Sequence, residues 1–222
     1  GCDSRAWAFF RHVGDAAEMD KYVDYIRGYN KTNFFPWAIK PTKKVSHTDM
    51  MQAMGDHFEG TVLQFDEDVG AGPYNTPYRW RPMDFEVNGR KYTNERSVAT
   101  QQTGWVFVAQ IRPNLPDPLK ALNWFGVDDT ACTVYVPFYA GITKVPKSYA
   151  EDAGADIMTF SFDSAFWVFN LVSQYAYTWW SYVQPEIAAK QAAYQANFTK
   201  EVADIDRKAT ALINAGHKDA AI

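Results

Sequence analysis

From Ser164 to Pro185 the sequence carries no formal charge over a stretch as long as a membrane span. Such a segment has to leave water, either into a bilayer or into a protein interior. Asn170, Ser173, Gln174, Thr178, Ser181 and Gln184 interrupt it throughout, which favours the interior. Phe166, Trp167, Phe169, Val172, Tyr175 and Trp179 cover most of a helical circumference, so the expectation is a helix from Ser164, capped by Asp163 and buried on several sides. Pro185 suits the first turn of a second helix running to Ala215, with Gly216 beyond its end. Ile187, Tyr194, Phe198, Val202, Ile205 and Leu212 recur along it at helical spacing. Two long C-terminal helices follow.

The preceding two thirds have a different grammar. Ala6 to Arg27 reads as two short amphipathic helices broken near Gly14, and Gly28 to Lys44, rich in Pro and aromatics, as a packed non-helical loop. Ser46 is a good N-cap for a helix from His47 to Glu59, with Asp49 in its first turn. Gly70 to Pro82 has turn residues at almost every second place and is expected to be a loop. Asn88-Gly89 favours a type I′ turn between strand residues Phe85, Val87 and Tyr92. Trp105 to Ile111, Leu122 to Val127 and Thr133 to Tyr139 read as strands. Helices, then strands, then helices is the order of an α+β protein. With no repeat or flexible linker, residues 1–222 are expected to form a single region.

Hydrophobic residues make up 47% of the 222, enough for a sizeable core. The net charge of −4, with Lys and Arg scattered among acids, gives no footprint for nucleic acid. Cys2 and Cys132 belong to no Cys-x-x-Cys pair, and no two of His12, His47, His57 and His217 fall at His-Glu-x-x-His spacing, so no metal site is expected. His57 reads as a hydrogen-bonded structural histidine, and Asp66 and Asp68 as solvated loop acids. No Gly-x-Ser-x-Gly elbow, phosphate loop or dinucleotide fingerprint occurs, and no cofactor is expected. The residues by themselves leave function open.

Four longer stretches carry a resemblance. Gly70-Ala-Gly-Pro-Tyr74 with Pro77-Tyr-Arg-Trp-Arg-Pro82, Asn94-Glu-Arg-Ser-Val-Ala-Thr-Gln-Gln-Thr-Gly104, Trp124-Phe-Gly-Val-Asp-Asp129 and Asp163-Ser-Ala-Phe-Trp-Val-Phe-Asn170 resemble the bacterial dipeptidase A family of N-terminal-nucleophile (Ntn) cysteine peptidases. Asp56-His-Phe-Glu-Gly60 and Pro137-Phe-Tyr139 agree in order and spacing. The resemblance implies an αββα fold of stacked sheets between helical layers, of which this chain would be the C-terminal portion, with mixed or antiparallel strands. It also implies a dipeptide substrate, an N-terminal Cys nucleophile with its own α-amino group as base, and secretion or a periplasmic location, with a cytoplasmic one also open.

In that family the nucleophile lies upstream of everything shown here, and a start at Gly-Cys-Asp-Ser rather than Met agrees with a missing N-terminal half as partner. Neither Cys2 nor Cys132 has the nucleophile's signature. Arg96 is the catalytic candidate, as a cation that would favour the thiolate; the alternative is a strand-end salt bridge to Glu95 or another acid. Asn94, Gln101 and Gln102 are the substrate-binding candidates, with loop-satisfying amides as the alternative. Asp128 and Asp129 are expected to tie a loop. A non-enzymatic reading also stands, in which exposed aromatics of Asn33 to Trp37 and Tyr74 to Trp80 bind sugar or peptide. A purely structural domain of a larger assembly is a third, and oligomer formation is left open.

Overall fold

A computed structural model describes residues 2–79, 84–151 and 154–221. The chain divides into two compact units, Gly1–Thr100 and Gln101–Ile222.

The first unit opens with α1 (Cys2–Val13), α2 (Ala16–Asp20) and the single turn α3 (Val23–Ile26). The expected break at Gly14 is present, although three helices rather than two result. A Cβ on Gly14 would lie 2.5 Å from Ile39 Cδ1 and 2.9 Å from the Phe10 carbonyl, so the chain can turn there only without a side chain. Asp15 restarts the helix by accepting from the Ala17 amide at 2.9 Å. Trp7, Ala8, Met19, Phe58, Leu63 and Phe65 form the core of this unit. The Trp7 indole satisfies its polar handle by donating to the Met19 carbonyl at 2.8 Å.

Residues 28–44 are non-helical, as expected, but not uniformly packed: Phe35 sits edge-on to Phe10, whereas Trp37 is 100% exposed. α4 spans His47–Met54 and begins at a full capping box, in which Ser46 Oγ accepts from the Asp49 amide and the Asp49 carboxylate from the Ser46 amide. It ends at Met54, five residues short of the expected Glu59, with Gly55 as its C-cap and Phe58 further on at φ 68°. The Gly70–Pro82 stretch holds 3-10 turns over Val69–Tyr74, and Trp80, Arg81 and Pro82 lie outside the described residues. β1 (Asp84–Val87) and β2 (Arg90–Thr93) form an antiparallel hairpin with Val87 opposite Arg90. Asn88 at φ 51° and Gly89 at φ 74° make the expected type I′ turn.

The second unit is built on an antiparallel sheet of β3 (Trp105–Ile111), β4 (Ala121–Val127) and β5 (Val136–Tyr139), in that spatial order. Alternation sorts its faces: Val106, Val108, Leu122 and Trp124 are buried, and Trp105, Phe107 and Ile111 remain exposed. α5 (Ala165–Thr178) packs on β4 and α6 (Trp180–Asn214) on β5. The expectation that α5 is buried on several sides is corrected here. Of its residues Ser173 and Ala176 are fully buried, while Tyr175 is 66% exposed and Tyr182, in the next helix, 69%.

Two further corrections concern caps. Ser164 rather than Asp163 occupies the N-cap of α5, with no side-chain cap bond. The break between helices falls at Trp179, so Pro185 lies inside α6 instead of in its first turn. The end of α6 is as expected: Gly216 takes φ 84°, its amide bonds to the Ile213 carbonyl and the His217 amide to that of Leu212, the two bonds of a Schellman cap. Among the described residues no helix is long and apolar enough to cross a membrane.

The capping box at Ser46 gives a direct check of this layout. Ser46→Ala should lower stability by about 1 kcal/mol in denaturant unfolding. Ser46→Asp, which keeps an acceptor at the cap, should recover most of the loss, and equal losses in both variants would show that the box is not what starts α4.

Candidate functional site

The polar run Asn94 to Gly104 contains every sequence-derived site residue, so its anchoring decides what each can reach. Arg5, on α1, donates from Nε to the Arg96 and Ser97 carbonyls at 3.2 and 2.8 Å. Ser97 Oγ donates to the Ala99 carbonyl at 2.5 Å, and the Ala99 amide donates to the Asp56 carbonyl at 3.0 Å. The backbone around Arg96 is therefore fixed at two points, while the Arg96 side chain itself is exposed. Among the described residues it forms no ion pair with Glu95 or any other acid, so the strand-end salt bridge is not formed. Burial, and next the like charge of Arg96, hold the Arg5 guanidinium below its usual value.

The other candidates are placed less informatively. Asn94 Nδ2 donates to the Glu95 carbonyl at 3.0 Å, a local bond of the loop-satisfying kind. Gln101, half-buried, and Gln102, exposed, begin the second unit. Asn94 and Arg96 thus belong to one compact unit, Gln101 and Gln102 to the other.

Two knots of buried carboxylates hold the family-like motifs, and sequence reading did not single out the first. Asp56 Oδ1 accepts from the Phe58 amide at 2.8 Å and Oδ2 pairs with His12 Nε2 at 2.8 Å. Phe58 in the left-handed region costs on the order of 1–2 kcal/mol, offset by its complete burial against Trp7 and Phe65. His57 is the hydrogen-bonded structural histidine expected of it: Nδ1 meets Glu59 Oε1 at 3.1 Å and Nε2 meets the Tyr78 hydroxyl at 3.2 Å. Asp56 and His12 are 44 residues apart, and no short-range pattern announces such a pair.

The second knot joins the β4–β5 connection to α5. Asp128, at φ 64°, accepts from Asn170 Nδ2 at 2.9 Å and from Ser173 Oγ at 2.5 Å. Asp129, 0% exposed, accepts from the Ala131 amide at 2.8 Å and the Tyr177 hydroxyl at 2.6 Å. The loop-tying role expected of both acids is what their geometry performs. Tyr177 is pushed far above its ordinary pKa by burial and then by Asp129, so it stays a donor.

Residues 2–193 match the model of peptidase family C69. The chain belongs to peptidase family C69. Among curated proteins it is similar to a dipeptidase of Bifidobacterium longum, 23% identical over 62% of this chain and 22% of that protein. It is also similar to a probable dipeptidase A of Streptococcus pyogenes serotype M3, 22% identical over 63% of this chain and 26% of that protein. A probable dipeptidase B of Lactococcus lactis is 26% identical over 54% of this chain and 22% of its own length. The chain thus spans about a quarter of the length of these relatives.

The two thiols of the chain differ in setting. Burial, then the Asp129 and Asp128 carboxylates, push the Cys132 thiol far above its ordinary value, which disfavours the thiolate that nucleophilic attack requires. It lies in the wall of an apolar groove of about 510 Å³, beside Val134, Phe169 and Ile187. Cys2 is exposed, the first residue of α1. No group of three metal-ligating side chains occurs among the described residues.

Two outcomes follow from this geometry. A water-soluble disulfide reagent at pH 8 should modify Cys2 within minutes and Cys132 only after denaturation; two equally fast thiols would contradict the burial of Cys132. Asp129→Ala should cost about 3 kcal/mol by removing the acceptor of the Tyr177 hydroxyl and the Ala131 amide. Arg96→Ala should stay within about 0.5 kcal/mol of the parent, and denaturant titrations showing the reverse order would refute the division between structural acids and an exposed cation.

Proposed function

We propose that this chain is the C-terminal portion of a dipeptidase of the N-terminal-nucleophile type, whose catalytic cysteine lies upstream of residue 1. The observation that carries the reading is the family match over residues 2–193, in a chain whose aligned part covers about a quarter of the length of the dipeptidases it resembles. The thiol chemistry supports it. Burial, then the Asp129 and Asp128 carboxylates, hold Cys132 protonated, so it is not the thiolate that the reaction needs.

In this reading the upstream thiolate attacks the dipeptide carbonyl carbon, and the C–N bond breaks as the leaving amine takes a proton. A thioester remains, which water hydrolyses to return the free thiol. Arg96 is the cation that favours the thiolate, a role open to it because its guanidinium is exposed and no carboxylate among the described residues neutralises it. Asn94, Gln101 and Gln102 present amides to the substrate backbone. The fold is the αββα arrangement, to which the antiparallel β3–β4–β5 sheet with α5 and α6 contributes, and the enzyme is secreted or periplasmic, with a cytoplasmic location also open, and uses no cofactor.

The binding-module reading keeps one observation in its favour, the full exposure of Trp37 beside an exposed Phe34. Its second platform fares less well, since Tyr74 and Tyr78 are half-buried.

Incubated with a dipeptide panel, the isolated chain should release no amino acids. Turnover abolished by Cys2→Ala would overturn the proposal and make Cys2 the nucleophile. In the full-length enzyme Arg96→Ala should reduce turnover far more than stability. Removing a cation raises the thiol pKa, so the acidic limb of the pH–rate profile should move upward, by about one unit for each 1.4 kcal/mol of lost stabilisation. An unchanged profile would remove Arg96 from the site.

A further inference from the structure

The first unit contains a cleft of about 660 Å³. One wall is the β1–β2 hairpin, and the other is formed by the turns at residues 27–31 and 62–68. Four cationic side chains line it, Arg27, Lys31, Arg90 and Lys91, in a protein whose net charge is −4. Among the described residues none of the four forms an ion pair. Two carboxylates share the lining, Asp68 and Glu95. Asp68 is already engaged by Arg79, whose guanidinium lies outside the lining, so Glu95 is left to oppose four cations.

Both arginines are held in place before any ligand arrives. The Arg27 guanidinium lies 4.6 Å from the Tyr29 ring centre, and its Nη2 donates to the Tyr29 hydroxyl oxygen at 3.2 Å. Arg90 lies 5.6 Å from the ring centre of Tyr92, its neighbour but one on β2. A guanidinium resting on an aromatic face keeps its outer N–H donors free and loses less side-chain freedom on binding a planar oxyanion. Lys31 and Lys91 add mobile point charges that can follow a second anionic group. Converging cations in a recess raise the local concentration of anions above that of bulk solvent, most strongly at low salt.

We propose that this cleft binds small oxyanionic ligands carrying two or more negative charges. Phosphate and carboxylate groups share that chemistry, the first as a free polyphosphate and the second as an acidic peptide. The site stands independently of the proposed peptidase activity, because it needs neither the upstream cysteine nor Arg96.

The test is calorimetric titration of the 222-residue chain at low ionic strength with pyrophosphate and, separately, with the dipeptide Glu-Glu. Saturable binding of one equivalent is expected for at least one probe, and the tighter of the two identifies the source. The double variants Arg27→Gln/Arg90→Gln and Lys31→Gln/Lys91→Gln should each bind about tenfold more weakly or worse, with unchanged circular dichroism. Lys190→Gln, in the second unit, should bind like the parent. Failure of both probes to saturate, binding that survives both double variants, or equal weakening by Lys190→Gln would overturn the proposal. The result is read on binding alone, so it is unaffected by whether the dipeptidase reading holds.

Discussion

A carboxylate withdrawn from water needs hydrogen bonds on both oxygens, and in this protein that requirement organises the turns from which the regular elements hang. Asp56 meets it with the Phe58 amide on one oxygen and His12 on the other, and its own carbonyl receives the Ala99 amide. α1, the turn after α4 and the segment following Arg96 are thereby tied to one residue. In the second unit Asp128 and Asp129 do the same for the β4–β5 connection, drawing on Asn170, Ser173 and Tyr177 from successive turns of α5. Irregular backbone there can be buried because side-chain acceptors take the place of a ladder.

The same arrangement fixes two bulky or charged residues, Phe58 and Asp128, in the left-handed region. Such conformations persist where surrounding contacts over-determine them. Phe58 is held by its buried ring and Asp128 by two donors and by its amide's bond to the Gly104 carbonyl. Both lie in motifs that resemble the dipeptidases, Asp56 to Gly60 and Trp124 to Asp129. The motifs carry structural geometry at these positions, whereas Arg96 is exposed and forms no ion pair among the described residues.

Local chemistry was legible in the sequence where it acts over a few residues. Asn88-Gly89 specified its turn, Ser46 and Asp49 specified a helix start, and the β-branched and aromatic content of Trp105 to Ile111 marked a strand whose bounds match. Readings that depended on distant partners did not transfer. The helix expected to reach Glu59 ends at Met54, and the Asp56 knot that follows it is assembled from His12 and Ala99, far along the chain. The aromatic content of α5 reports a segment suited to leaving water, but not which surface receives it, and Tyr175 remains largely exposed. Of the site residues, the sequence could rank Arg96 by its polar setting, whereas the tie of its backbone to Arg5 on α1, 91 residues away, has no local signature.

The central functional claim is that the reactive thiol belongs to upstream polypeptide and that this chain supplies its electrostatic and binding environment. Mass-spectrometric mapping of the full-length enzyme after treatment with a substoichiometric dipeptide-derived acylating inhibitor tests it most directly. The account predicts a single modified cysteine N-terminal to residue 1, with Cys2 and Cys132 unlabelled. Inhibitor bound to Cys2 or Cys132 at full loss of activity would contradict it.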